Sequence, residues 1–230
     1  MHLEITEKKE LSKEFKYFKS HYVSLNFGYE NILLYPENNE LNLLFYPSNQ
    51  FSIITGKILK LETVFLNWCM THPIVANIQD FIKIGKCLQK NIMKIEYDDS
   101  SFTFIFNNKE EQEEKVVFKT GIPEEVKKLL EKLNNAKTAL TTSIIFPLSD
   151  GYFDGELFEV YIGENNSISP TRVHEKIIEI EKKEIKALLK NRTSSAINYS
   201  TPDSLSHRYV RISSCDNELN LELSQYFITL

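Results

Sequence analysis

The chain has 230 residues, 42% hydrophobic and 26% charged, with 27 basic against 32 acidic residues for a net charge of −5, enough apolar material for one large soluble domain or two of about 115 residues. No apolar run reaches the ~18–20 residues of a membrane span, and the opening MHLEITEKKE has no signal-peptide core, so the expectation is a protein of the cell interior, in the cytoplasm of a bacterium or of a host cell, with no membrane partner. Three widely spaced cysteines (Cys69, Cys87, Cys215) make neither a disulfide framework nor a zinc spacing, and seven glycines without GxGxxG or GxxxxGK[ST] exclude the usual nucleotide-cradling loops.

In chain order, Glu7–Ser20 repeats apolar residues at Leu11, Phe15 and Phe18 with a helical period. Strand patterns follow at Tyr22–Phe27, Asn31–Tyr35, Leu41–Tyr46 and Phe51–Leu61, with Pro36–Glu40 a turn by composition. A second helix is predicted over Ile78–Lys90, on Ile78, Phe81, Ile82 and Leu88, then strands at Met93–Tyr97, Phe102–Phe106 and Val116–Lys119. Pro123 is a favoured first-turn residue and opens a third helix, Glu124–Lys137, on Val126, Leu129, Leu130 and Leu133. Beyond it lie strands Leu140–Phe146, Gly155–Ile162 and Val173–Glu179, and a fourth helix, Glu181–Arg192, on Ile185, Leu188 and Leu189. Strands Ser195–Tyr199, Arg208–Ser213, Leu219–Leu223 and Tyr226–Leu230 complete the chain. So many strands with so few helices read as α+β, rich in antiparallel sheet. The element order runs twice, which points to an internal duplication. The acidic run Asn107–Lys115 and the TGIP at Thr120–Pro123 bracket the junction, giving domains 1–121 and 122–230.

Charge is segregated by element. The four helical segments hold 17 of the 27 basic residues against 9 acidic ones, a net +8, and the rest of the chain carries −13. At 100° per residue, Lys9, Lys13 and Lys16 lie opposite the first apolar stripe. Lys83 and Lys90 lie opposite the second with Lys86 at its flank, and Lys128 and Lys132 share the exposed face of the third helix with Glu124 and Glu131. Lys183 and Lys190 lie opposite the fourth stripe, with Lys186 beside them. Ammonium groups on one surface suit sequence-independent contact with phosphates. With only four arginines (Arg172, Arg192, Arg208, Arg211), bidentate base reading is not expected. A solvated lysine face that serves solubility alone is the plainer reading of any one helix.

Catalytic signatures are absent: five scattered histidines (His2, His21, His72, His174, His207) have no ligand spacing, and neither HExxH nor GxSxG occurs. Asp150, Asp154 and Glu156 in SDGYFDGE stand close together, but the glycines and flanking strands read as a hairpin turn. Trp68 and the fifteen phenylalanines read as core, although aromatics exposed on strands also suit stacking of single-stranded bases. No cofactor or metal is expected, and no enzyme.

Two rounds of strand, helix, strands, helix and strands, acidic overall with basic helices, resemble a DNA polymerase sliding clamp. The type is the two-domain, ring-trimer clamp of T-even bacteriophages and of the proliferating cell nuclear antigen family. Ile78–Phe106 and Ile178–Leu230 carry the local likeness. The resemblance implies a homotrimeric ring with sheets outside and two basic helices per domain inside, encircling duplex DNA without sequence preference. DNA contact would fall to Lys9, Lys13, Lys16, Lys83, Lys86, Lys90, Lys128, Lys132, Lys183, Lys186 and Lys190. The implied partners are a DNA polymerase, an ATP-driven clamp loader and proteins whose tails dock near the interdomain connector and the C-terminus, where Ile122, Pro123, Phe227 and Leu230 are the candidate walls. Two stretches depart from the family pattern: the connector is short, leaving Val116–Lys119 to close one domain or open the next, and Phe65–Val75 is bulky for a strand-to-helix link. Two other readings stand beside this one. One is a strand-rich structural or interaction protein of the virion kind with merely solvated lysine helices, and the other is a nuclease built on Asp150, Asp154 and Glu156.

Overall fold

The computed structural model describes residues 5–18, 30–45, 52–58, 61, 63–88, 94–107, 112–140, 144–147, 152–162, 168–169, 175–181, 194–199, 208–216 and 221–229. The fold is α+β with antiparallel pairing throughout its assigned registers. The chain divides into two compact units, Met1–Ser48 with Gly56–Val126, and Asn49–Thr55 with Lys127–Leu230.

The first unit begins with α1 (Ile5–Phe18), β1 (Asn31–Glu37), β2 (Glu40–Phe45) and β3 (Ser52–Ile58, from Gly56 on). It continues with α2 (Val64–Cys69), β4 (Ile74–Asn77), α3 (Ile78–Cys87), β5 (Lys94–Tyr97), β6 (Ser101–Asn107) and β7 (Glu113–Lys119). One set of strands runs β4-β1-β2-β3 and the other β5-β6-β7. β1 is flanked on both sides, and its run Ile32–Tyr35 is buried on both faces, so it shows no in-out alternation. The β1–β2 turn is tighter than the composition of Pro36–Glu40 predicts. Strand pairing continues to Glu37↔Glu40, leaving only Asn38 and Asn39, both at positive φ (54° and 63°), a conformation asparagine tolerates.

The core of this unit is aromatic. Phe15 of α1, Phe65 of α2, Phe81 of α3, Phe102 and Phe104 of β6 and Phe118 of β7 are each no more than 2% exposed. Phe65 lies with its ring centroid 5.1 Å from Phe102, 5.3 Å from Phe118 and 5.4 Å from Phe104, and Phe15 and Phe81 are 5.1 Å apart. The alternation in β7, with Val116 and Phe118 buried and Lys115, Val117 and Lys119 exposed, gives the sheet one face toward this cluster. α3 starts at Asn77, whose side chain accepts from the Gln79 N–H at 2.8 Å. It meets α1 at Gly85, where an added Cβ would lie 2.9 Å from the Phe15 Cβ, so the absence of a side chain sets how closely these helices approach.

α2 fills the bulky Phe65–Val75 stretch, which carried no helical assignment from its sequence. The Thr63 hydroxyl accepts from the Leu66 N–H at 3.2 Å, and the Glu7 carboxylate on α1 accepts from the Val64 N–H at 2.7 Å. Trp68, at the end of α2, donates its indole N–H to the Asp98 carbonyl at 2.9 Å and stacks on His72 at 4.6 Å. His72 therefore has a packing role. The acidic run Asn107–Lys115, placed at the junction by its composition, is partly strand, since β7 starts at Glu113 and pairs with β6 from Asn107↔Glu113 to Ser101↔Lys119. Val116–Lys119 thus belongs to the last strand of the first unit.

The second unit holds α4 (Glu124–Ala139, from Lys127), β8 (Ile144–Pro147), β9 (Tyr152–Asp154), β10 (Leu157–Ile162) and β11 (Ile168–Ser169). β12 (Glu175–Glu181), β13 (Ser194–Tyr199), β14 (Arg208–Asp216) and β15 (Leu221–Thr229) follow. Its strands run β15-β14-β13-β8, and β11-β10-β12 with β9 also on β10. α4 buries Val126, Leu133 and Ala136, and Leu140 just after it is buried too, while Leu129 and Leu130 are half-buried. Leu140 therefore continues the helical segment, and the described part of the strand predicted from Leu140 is Ile144–Pro147. The two C-terminal strands predicted at Leu219–Leu223 and Tyr226–Leu230 are one continuous strand, β15, in register with β14 from Leu221 to Thr229. The predicted strand Tyr22–Phe27 lies outside the described residues, as does the predicted fourth helix after Glu181, which itself closes β12.

Two outcomes follow. Gly85→Ala gains helix propensity of about 1 kcal/mol but forces α1 and α3 apart, so a net loss of about 1–3 kcal/mol is expected in denaturant unfolding. The Asp98 carboxyl is held below its usual range, first by the Ser100 hydroxyl and then by the Ser100 and Ser101 N–H groups. Its contribution to stability is therefore present above the ordinary carboxylate pKa and lost as pH falls through the lowered value. Comparing acid titrations of wild type and Asp98→Asn should show that part of the pH dependence removed in the variant.

Candidate nucleic-acid interface

α1 and α3 lie side by side, each with one face in the phenylalanine core. On α1, Leu11 and Phe15 are buried, Lys9 and Lys13 are exposed, and Glu7, Lys8 and Glu10 are half-buried. On α3, Ile78, Phe81, Ile82, Ile84 and Gly85 are buried, Lys83 and Lys86 are exposed, and Asp80 is half-buried. The described side chains of the two helices are thus sorted by sign. Four of the five lysines stand in solvent, and all three carboxylates are partly withdrawn. Glu7 is turned to the N-terminus of α2, and Glu10 pairs with Lys13 at 3.0 Å. Asp80 sits in the first turn of α3, where the helix dipole favours an anion. Burial pushes its carboxyl up, with Lys83 pulling the other way.

Lys83 is itself engaged. Its Nζ lies 2.7 Å from a Glu114 carboxylate oxygen and 5.3 Å from the centre of the Phe106 ring. Cys87, one turn further along α3, has its thiol pushed up by burial, with Lys83 opposing and Glu114 reinforcing the shift. Lys86 occupies the last turn of α3. Lys9, Lys86 and Lys128 form no ion pair among the described residues. Lys128 and Lys132 are exposed on α4 beside exposed Glu124, Glu125 and Glu131, a face of mixed sign. Lys16 belongs to α1, and Lys90, Lys183, Lys186 and Lys190 lie outside the described residues. Glu114 was missed as a participant. Its signal was positional, a carboxylate in the same alternating row as Val116 and Phe118.

The proposed docking residues occupy separate places. Ile122 and Pro123 are half-buried in a segment anchored just upstream, where the Thr120 hydroxyl and the Gly121 N–H both donate to the Pro73 carbonyl, at 3.1 and 2.7 Å. Phe227 stands in β15 opposite Val210, and Leu230 lies outside the described residues. In the acidic SDGYFDGE stretch, Asp154 and Leu157 pair across a two-residue turn at Gly155 and Glu156, with Gly155 at φ 54°, and Asp150 lies outside the described residues. Among the described residues no group of three or more histidines, cysteines or carboxylates is placed to hold a metal, and no helix is long and apolar enough to cross a membrane. A buried carboxylate of the second unit, Glu159 at 3% exposure, accepts from the Tyr161 hydroxyl at 2.8 Å and pairs with Lys176 at 3.3 Å.

No family model matches the sequence, and no curated protein matches it. Among solved structures, the chain is similar to one described as the C-terminal region of FEN-1 bound to A. fulgidus PCNA, at 12% identity and a TM-score of 0.42, covering 95% of this chain and 96% of that one. It is also similar to a PCNA2–PCNA3 complex from Sulfolobus tokodaii, at 9% identity and a TM-score of 0.39, covering 97% and 96%.

Gly121 has φ +135° and nothing within 4 Å of a built Cβ, so its substitution tests backbone conformation alone. Gly121→Ala is expected to lose about 1–3 kcal/mol of stability in urea unfolding, whereas Ser100→Ala, which leaves this anchor intact, retains the Pro73 contacts in a crystal structure.

Proposed function

We propose that this chain is a DNA sliding clamp, a non-enzymatic ring of three copies that encircles duplex DNA and tethers a polymerase. The observation that carries the reading is the sorting of charge among the described side chains of α1 and α3, with Lys9, Lys13, Lys83 and Lys86 exposed and Glu7, Glu10 and Asp80 half-buried on two adjacent helices. A net charge of −5 then opposes DNA only where sheets and loops face it, and the helices supply the phosphate-facing cations. Lysine point charges without arginine forks suit a surface that must move along phosphates and not stop at a base sequence. Two adjacent amphipathic helices together with antiparallel strands in the first unit support this reading. Its working partners are a polymerase, an ATP-driven loader and proteins that dock short tails, for which Ile122 and Pro123 are offered outside any helix or strand.

Light scattering should give three times the chain mass at working concentrations. With its cognate loader and ATP, the protein should stay on a nicked circular plasmid and leave when the plasmid is cut. Charge reversal at Lys9, Lys86 and Lys128 together should lower retention about tenfold or more without moving the unfolding midpoint. A strict monomer whose behaviour is indifferent to that triple reversal would instead favour a structural protein with solvated helices.

A further inference from the structure

Resting on the clamp reading, one ion pair makes a more particular statement about how strongly the basic face holds a duplex. Glu114 and Phe106 are directly opposite one another in the β6–β7 register. Together they form a seat of one carboxylate and one ring face, and the Lys83 ammonium occupies it, 2.7 Å from the carboxylate and 5.3 Å from the ring centre. The alternation of β7 places Glu114 in the row of Val116 and Phe118, where an apolar side chain would be ordinary. A carboxylate there, 35% exposed, is suited to holding a cation from the helix above. Asp80, one turn before Lys83, adds a second carboxyl within electrostatic reach of the ammonium. Lys86, one turn after it, is exposed and has no ion pair among the described residues.

We propose that Glu114 is a positioning residue that holds Lys83 back from the duplex, leaving α3 to contact phosphate through Lys86. A ring kept on DNA by its closure gains nothing from each further phosphate contact, and every added contact deepens the wells between which it must step. Tethering one ammonium lowers the number of released counterions by about one, a change of about 0.9 in the slope of log K against log salt.

The test is a double-mutant cycle on the full chain with a short fluorescein-labelled duplex, at protein concentrations high enough to drive threading over its open ends, read as an equilibrium Kd across a salt series. Glu114→Gln should tighten binding about two- to fivefold, the range set by the release of an exposed ion pair, and steepen the salt slope by about 0.9. In a Lys83→Gln background that gain should vanish, and Lys83→Gln alone should weaken binding less than Lys86→Gln does. Glu96→Gln, on the outer face of the same sheet, controls for loss of a negative charge in general. Independently of DNA, acetylation by acetic anhydride, read by mass spectrometry, should be slower at Lys83 than at Lys86 by about two- to fivefold, and Glu114→Gln should remove the difference. A tightening that persists without Lys83, or is matched by Glu96→Gln, overturns the proposal, as does equal acetylation of the two lysines in the wild type. A protected Lys83 with no salt-dependent duplex binding at all by the wild type, and no effect of Lys86→Gln, would sink the clamp reading and the tuning role with it while leaving the tether standing.

Discussion

Phe65 is the point on which the first unit turns. Its ring lies against Phe102, Phe104 and Phe118 on the sheet side and reaches Phe15 at 6.1 Å and Phe81 at 6.4 Å on the helix side. Aromatic rings bury large areas, and their tilted or edge-on arrangements add to what burial alone contributes. One six-residue helix thereby fastens two longer helices to a three-stranded sheet. Once α1 and α3 each commit a face to these rings, the opposite faces have only solvent to meet. The orientation of the lysines is a result of that packing. Gly85 sharpens the constraint, because the helices can share this cluster only if their backbones approach as closely as a missing Cβ allows.

The same packing accounts for the carboxylates. Glu7 leaves the solvent to accept the first N–H of α2, and Asp80 sits at the positive end of α3. Helix termini draw acidic groups inward by local electrostatics, whereas long lysine side chains keep their ammonium groups in water. Among the described side chains, capping and core formation together thus leave lysines more exposed than Glu7 and Asp80 on this pair of helices.

Much of this was legible from periodicity. Helices α1, α3 and α4 and strands β1, β2, β3, β5 and β6 followed their apolar repeats, and Val116–Lys119 reads as strand, whereas β4 and the Glu113–Lys115 start of β7 do not. What escaped depends on contacts distant in sequence. α2 has a local N-cap in Thr63, but it is only six residues long and its first N–H is satisfied by Glu7, 57 positions earlier, so apolar periodicity alone does not announce it. β15 read as two strands because Ser224 and Gln225 interrupt its apolar run. Ser224 is nonetheless buried, accepting from the Arg211 guanidinium at 3.0 Å across the β14–β15 pair. For the candidate site, the sequence located the exposed lysines of α1, α3 and α4 by phase. It was silent on their pairing, since the Lys83–Glu114 contact joins a helix to a strand 31 residues later.

The chain's single tryptophan, Trp68, lies wholly within the first unit, wedged between His72 and the carbonyl of Asp98. Its emission is therefore a local witness to the α2 end of that unit and blind to the second. Circular dichroism, by contrast, sums over both. If the two units come apart at different denaturant concentrations, the two signals will follow different curves, so fluorescence alone would mistake the melting of half the molecule for the melting of the whole.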